Sequence, residues 1–137
     1  MDIPFGMMSG MFRRKAELKA RLVQQEAEYS HVPTVTVADA NGRSGSQVLL
    51  DVREQKEWDA GHAPGAIHVR LGDLSLDSVP KADSILCICR SGHRSAQATY
   101  VLLATNLTAF NVDGGMNAWA AAGLPVVRDD GSPGQVI

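Results

Sequence analysis

Apolar positions along this chain fall into short runs that are separated by polar turns and by stretches with helical spacing. The most informative run covers residues 85–89, Ile-Leu-Cys-Ile-Cys, and has no polar alternation. Such a run predicts a central strand of a parallel sheet that is covered on both faces. A short polar loop follows, and helical spacing resumes from Gly92. We therefore expect Cys89 at the carboxyl end of a buried strand, the edge at which open α/β sheets bind ligands.

Shorter segments predict the remaining elements. Four further strands are predicted at residues 34–37, 48–52, 66–69 and 109–112. Helices are predicted at residues 54–60, capped by Gly61, and at 115–122, with a helical turn at 71–76. Because residues 41–46 form a polar turn, we expect the first connection to be short and without a helix. Strands that alternate with helices predict an α/β fold, with a mainly parallel five-stranded sheet and helices on both faces.

The loop after residues 85–89 combines features that suit an anionic ligand. Backbone N–H groups in a tight strand-to-helix loop can form an anion-binding nest, and a helix N-terminus adds donors and a positive partial charge. Arg90 and Arg94 add two permanent positive charges, and His93 adds a third when protonated. We therefore expect Cys89 to be a thiolate nucleophile near neutral pH. The alternative is a buried structural cysteine.

Four motifs resemble the rhodanese family of sulfurtransferases. Residues 89–95, Cys-Arg-Ser-Gly-His-Arg-Ser, resemble its active-site loop. Residues 49–54 resemble its Asp-Val-Arg strand end, and residues 61–67 resemble its Gly-His-x-Pro-Gly-Ala motif. Residues 113–126 resemble its Gly-Gly-x-x-x-Trp and Gly-x-Pro signature. The motifs follow the family's order over residues 35–128, which makes the combination far more specific than any one of them.

The resemblance implies a rhodanese-like three-layer fold and a persulfide mechanism. Cys89 would take a sulfane sulfur from thiosulfate or a persulfide donor and pass it to a thiol or cyanide. The substrate-binding loop would comprise Arg90, Ser91, Gly92, His93, Arg94 and Ser95. Asp51 and Arg53 would support this loop or form a purely structural ion pair. No cofactor and no metal is implied. The charged loop favours thiosulfate or a protein persulfide over mercaptopyruvate.

Two other functions remain open at this point. The same thiolate could serve a phosphatase or an arsenate reductase. The loop has the spacing Cys-x4-Arg, however, whereas the related phosphatases have one residue more, so sulfur chemistry is favoured. A non-catalytic rhodanese-like interaction module is the third hypothesis, although inactive members usually lack the cysteine that this chain retains.

Composition sets the limits of the prediction. The chain has 137 residues, a net charge of −2 and 5% aromatic residues, which fits one domain and gives no sign of nucleic-acid binding. No apolar run approaches the roughly 20 residues of a membrane span. We predict an N-terminal extension at residues 1–33, a rhodanese-like domain at 34–128 and a polar tail at 129–137.

The terminal and the non-motif residues add smaller expectations. Residues 13–29 are predicted to be helical, and Leu18 and Leu22 at i,i+4 could dock on the domain or join two copies in a homodimer. The N-terminus lacks a secretory pattern, so a cytoplasmic location is expected. Cys87, two residues before Cys89, is predicted to be core, as are Trp58 and Trp119. His62 is predicted to fix a turn.

Overall fold

Five short strands form one sheet in which all neighbouring strands run parallel. The computed structural model describes Tyr29 and residues 31–137. The strands are β1 (Thr34–Val35), β2 (Gln47–Asp51), β3 (Ile67–His68), β4 (Ser84–Ile88) and β5 (Ala109–Val112). Their order in the sheet is β1-β5-β4-β2-β3, so β4 is central. Every residue of β4 is buried, which confirms what its unbroken apolar run predicted.

Helices connect these strands and cover both faces of the sheet. They are α1 (Val37–Asn41), α2 (Gln55–Ala60), α3 (His93–Ala104) and α4 (Gly115–Ala121), with a 3₁₀ turn at Leu71–Asp73. Alternate side chains of the strands enter two separate apolar clusters. One cluster joins Leu49 and Leu86 to Met116 and Trp119 of α4. The other joins strand residues to Ala98 and Leu102 of α3. The α/β fold, with helices on both faces of a parallel sheet, is confirmed.

The first crossover differs from its prediction. The expected strand at 34–37 stops at Val35, and Val37 begins helix α1, where the sequence had suggested no helix. The reason is a capping box: the Asp39 N–H donates to Thr36 Oγ1 (3.1 Å), and the Thr36 N–H donates to Asp39 Oδ2 (3.2 Å). These reciprocal bonds satisfy donors at the helix N-terminus and outweigh the strand preference of two β-branched residues.

The C-terminal residues hydrogen-bond to the connection that follows α2. The His62 N–H donates to the Val127 carbonyl (2.8 Å), and the Gln135 N–H donates to the Ala60 carbonyl (2.9 Å). Gly61 caps α2 as predicted. The chain packs so closely here that a Cβ on Gly61 would lie 2.6 Å from the Gln135 nitrogen. Glycine is therefore required at this position for close approach.

The predicted helix at 13–29 and the Leu18–Leu22 docking face lie outside the described residues, apart from Tyr29, which is helical. Among the described helices, none has the length and apolar character needed to cross a membrane.

Candidate active site

Cys89 follows directly after the central strand and is 1% exposed. A backbone N–H and a side-chain hydroxyl approach its sulfur. The Gly92 N–H donates to Cys89 Sγ (3.1 Å), and the Ser95 hydroxyl lies 3.2 Å from the same atom. Ser95 belongs to the first turn of α3 and is fully buried. Donors that converge on a sulfur at a helix N-terminus stabilise negative charge on it. The geometry therefore suits a nucleophilic thiolate.

The start of α4, at the Gly-Gly motif, hydrogen-bonds to the backbone of the loop that follows β4. The Met116 N–H donates to the Cys89 carbonyl (2.7 Å), and the Asn117 N–H donates to the Arg90 carbonyl (2.9 Å). These carbonyls thus satisfy donors at the start of α4, which otherwise lack partners within the helix. Gly115, with φ +57°, has no room for a side chain, because a Cβ would lie 2.3 Å from the Cys89 oxygen. The Gly-Gly motif therefore allows the start of α4 to pack directly against the backbone of the loop and so serves as its seat.

Arg94 forms an ion pair that the sequence did not reveal. Its Nη1 and Nη2 donate to Oε1 and Oε2 of Glu57 at 2.7 and 2.9 Å. This fork lowers the pKa of Glu57 to about 2, against a smaller opposing effect of burial. The pKa of Arg94 is raised, chiefly by Glu57 and to a smaller extent by Cys89. Arg94 therefore lies within the electrostatic reach of the sulfur, but its charge is already paired.

Asp51 and Arg53 form a buried pair on β2 and the residues that follow it. Arg53 Nη2 donates to Asp51 Oδ2 (2.8 Å) and to the Gly61 carbonyl (2.8 Å), and both side chains are fully buried. In the described part of the chain, neither side chain hydrogen-bonds to residues 89–95, and Arg53 Nη1 has no partner. The positive charge of Arg53 contributes to lowering the pKa of Glu57. Glu57 therefore interacts electrostatically with both Arg53 and Arg94.

The remaining loop side chains lie at the surface. Arg90, Ser91 and His93 are all exposed. None of these side chains makes a hydrogen bond or ion pair within the part of the chain that the structure describes. The guanidinium group of Arg90 and the imidazole ring of His93 are thus accessible, whereas the guanidinium group of Arg94 is shared with Glu57.

Cys87 is buried core, as predicted. It is fully buried, and burial raises the pKa of its thiol to about 12, so it stays protonated. Trp119 is fully buried, and its indole N–H donates to the Pro125 carbonyl (2.8 Å). His62 Nδ1 lies 3.0 Å from the Trp58 carbonyl, and its ring stacks on Trp58 at 3.5 Å, which fits a turn-fixing role. Within residues 31–137 no cluster of His, Cys, Asp or Glu could hold a metal ion.

Two residues of the site had weak sequence signals. Glu57 could have been found as an acidic residue in the first turn of the helix that follows Arg53, a position able to face the same sheet edge. Asn111 hydrogen-bonds to both Gly92 and Ser95. Its signal was a polar residue inside the otherwise apolar strand 109–112.

Comparisons with known proteins agree on one family. Residues 34–122 match the family described as Rhodanese-like domain. A candidate sulfurtransferase of Bacillus subtilis is 32% identical over 100 residues, covering 72% of this chain and 97% of the relative. Thiosulfate sulfurtransferase 16 of Arabidopsis thaliana is 37% identical over 117 residues, with the same two coverages.

A solved structure agrees as well. The crystal structure of a rhodanese-related protein from Thermoplasma volcanium superposes with a TM-score of 0.65 at 29% identity, covering 69% of this chain and 97% of that one. The chain therefore belongs to the rhodanese-like domain family.

Proposed function

We propose that this protein is a sulfurtransferase that carries a sulfane sulfur as a persulfide on Cys89. One observation carries the proposal: Cys89 Sγ receives the Gly92 N–H and faces the Ser95 hydroxyl at the N-terminus of α3. These donors favour an anionic sulfur before transfer and an anionic persulfide after it. The sulfurtransferase names of the relatives support the same reaction class.

With thiosulfate as donor, the reaction has two steps. In the first, the Cys89 thiolate attacks the outer sulfur of thiosulfate and forms a new S–S bond. The S–S bond of thiosulfate breaks, and its electron pair leaves on sulfite. In the second, a thiolate or cyanide attacks the outer sulfur of the persulfide and restores the Cys89 thiolate. Ping-pong kinetics are expected from such a covalent intermediate.

The exposed side chains of the loop suggest the substrate class. Arg90 and His93 are exposed members of the loop and have no partner among the described residues, so they are suited to binding the sulfonate end of thiosulfate or an anionic protein persulfide. Arg94 is held by Glu57 and contributes to the field around the sulfur instead. A thiol acceptor, protein or small molecule, and a cytoplasmic setting complete the proposal.

The two cysteines supply a matched pair of variants for its test. After thiosulfate treatment, mass spectrometry should show the added mass of one sulfur atom on Cys89 of the wild type and of Cys87→Ser. Cys89→Ser should carry no added sulfur and show no transfer to cyanide. A folded Cys87→Ser variant without activity would contradict the core role of Cys87.

A phosphate ester assayed in parallel separates the rival chemistry. Hydrolysis of the ester without formation of a persulfide would replace sulfur transfer by phosphatase activity. If neither reaction occurs in a folded protein, the site is a binding module only.

A further inference from the structure

Asn111 is a buried amide in the middle of an apolar strand. It lies in β5 between Phe110 and Val112, pairs in register with Cys87 of β4, and is 7% exposed. Phe110 and Val112 enter the cluster that contains Trp119, so Asn111 faces the other side of the sheet, where α3 packs. A buried amide costs free energy unless its polar atoms are hydrogen-bonded. Its partners therefore indicate what it does.

Both side-chain partners of Asn111 are the residues that donate to the sulfur. Asn111 Nδ2 donates to the Gly92 carbonyl (3.1 Å), and Asn111 Oδ1 accepts from the Ser95 hydroxyl (2.6 Å). The orientation of the amide is fixed, because the Gly92 carbonyl can only accept. Gly92 and Ser95 are also the two residues whose donors approach Cys89 Sγ. One side chain thus holds both groups that surround the reacting atom.

The Ser95 hydroxyl has one proton and two acceptors within reach. Asn111 Oδ1 lies 2.6 Å from Ser95 Oγ, and Cys89 Sγ lies 3.2 Å from it. When the proton points at Asn111, a lone pair of Ser95 can accept from a Cys89 thiol. When the proton points at the sulfur, Ser95 donates to a thiolate or a persulfide. Asn111 Oδ1 thus accepts the hydroxyl proton while Cys89 is a thiol, and the proton can turn to the sulfur when Cys89 is a thiolate or a persulfide.

We propose that Asn111 is a positioning residue for the sulfur chemistry of Cys89. It holds the Gly92 peptide so that its N–H is aimed at the sulfur, and it keeps the Ser95 hydroxyl poised between the amide and the sulfur. This role rests on the proposed sulfur transfer for its kinetic consequences. The side chains of the exposed Arg90 and His93, which are suited to binding the donor, make no hydrogen bond to the Asn111 amide in the described part of the chain.

Asn111→Leu tests the role by removing both hydrogen bonds at similar volume. We expect the rate of persulfide formation, followed as sulfite release in a single turnover, to fall about 10- to 100-fold, because the Gly92 peptide, whose N–H donates to the sulfur, is no longer held by the amide. The KM for thiosulfate should change by less than about threefold, because Asn111 does not take part in binding the donor. Phe110→Leu, on the same strand but on its other face, is the matched control for lost packing.

Asn111→Asp tests the donor to Gly92 separately. An ionised carboxylate accepts from Ser95 but cannot donate to the Gly92 carbonyl, whereas a protonated carboxyl group can do both. We expect the rate of this variant, divided by that of the wild type, to rise as the pH is lowered from about 8 to about 5, towards the titration range of carboxyl groups. A residue that acts only through stability would leave the ratio flat in fully folded protein.

Alkylation of Cys89 by iodoacetamide distinguishes failure of this inference from failure of the proposed function, because it needs no sulfur donor. Slower alkylation of Asn111→Leu than of Phe110→Leu supports the positioning role even if the wild type forms no persulfide. Equal alkylation rates for these two variants would overturn it. A ratio of the Asn111→Asp rate to the wild-type rate that does not change with pH would also overturn it. This second measurement remains available if Asn111→Leu does not fold.

Discussion

At the scale of single residues, Glu57 forms an ion pair with Arg94 and so balances its charge. Its carboxylate accepts both guanidinium donors, and the pKa of Glu57 is lowered from 4.5 to about 2. The folded state therefore binds this proton less readily than the unfolded chain does. The stabilisation is fully present above pH 4.5 and is lost as the pH falls towards about 2.

Glu57→Gln should remove that pH-dependent contribution. We expect a loss on the order of 1 kcal/mol in the free energy of unfolding at neutral pH, since the Arg94 side chain is one-third exposed and solvent screens the pair. The difference from the wild type should shrink towards pH 2. Urea unfolding at neutral and at acid pH measures both quantities. Glu54→Gln, which removes the charge of an exposed ion pair with Arg70 at 3.3 Å, is the control. Equal effects of the two substitutions would contradict the importance of the Glu57 pair.

At the scale of elements, the start of α4 and the loop after β4 form one unit. The close approach at Gly115 predicts that Gly115→Ala will displace the loop, because the new Cβ would meet the carbonyls of Cys89 and Arg90 at 2.3 and 2.7 Å. Catalytic groups that move by about 1 Å can lose about 100-fold in rate. We expect a loss of that order in sulfur transfer, measured as cyanide-dependent turnover.

Gly123→Ala is a closely matched control for that substitution. Gly123 also has a positive φ, +73°, but nothing lies within 4 Å of its Cβ position. It should lose about 1 kcal/mol of stability through backbone strain and keep its rate. Equal turnover by the two alanine variants would mean that Gly115 does not seat the loop.

The elements differ in how far the sequence could specify them. Strand β4, helix α3 and the motifs around them were predictable, because an unbroken apolar run and an Arg-rich loop before a helix have few structural interpretations. Helix α1 was not predicted, because the two reciprocal bonds of Thr36 and Asp39 decide against the strand that the β-branched residues favour. Likewise, the pairing of Arg94 with Glu57 joins residues 37 positions apart, which local pattern does not encode.

At the scale of the whole molecule, residues 32–137 supply the parts of the site described above. The cysteine loop, its seat on α4, the Glu57 pair and Asn111 all come from this unit. The interaction of the C-terminal residues with the α2 connection belongs to it as well. A single sheet whose central strand leads to Cys89 therefore accounts for both the fold and the placement of the candidate site.

This organisation predicts that deleting residues 1–30 will leave sulfur transfer within about twofold of the full chain, because catalytic rate follows the geometry of the site. Activity, melting temperature and solution mass of the truncated and full-length proteins are the measurements. If Leu18 and Leu22 are buried against the domain or a second copy, their loss would remove up to roughly 3–6 kcal/mol and change the melting temperature or the mass, but not the rate per folded site. A truncated protein that is folded and monomeric but inactive would contradict the prediction, and would show that the N-terminal segment helps to form the site around Cys89.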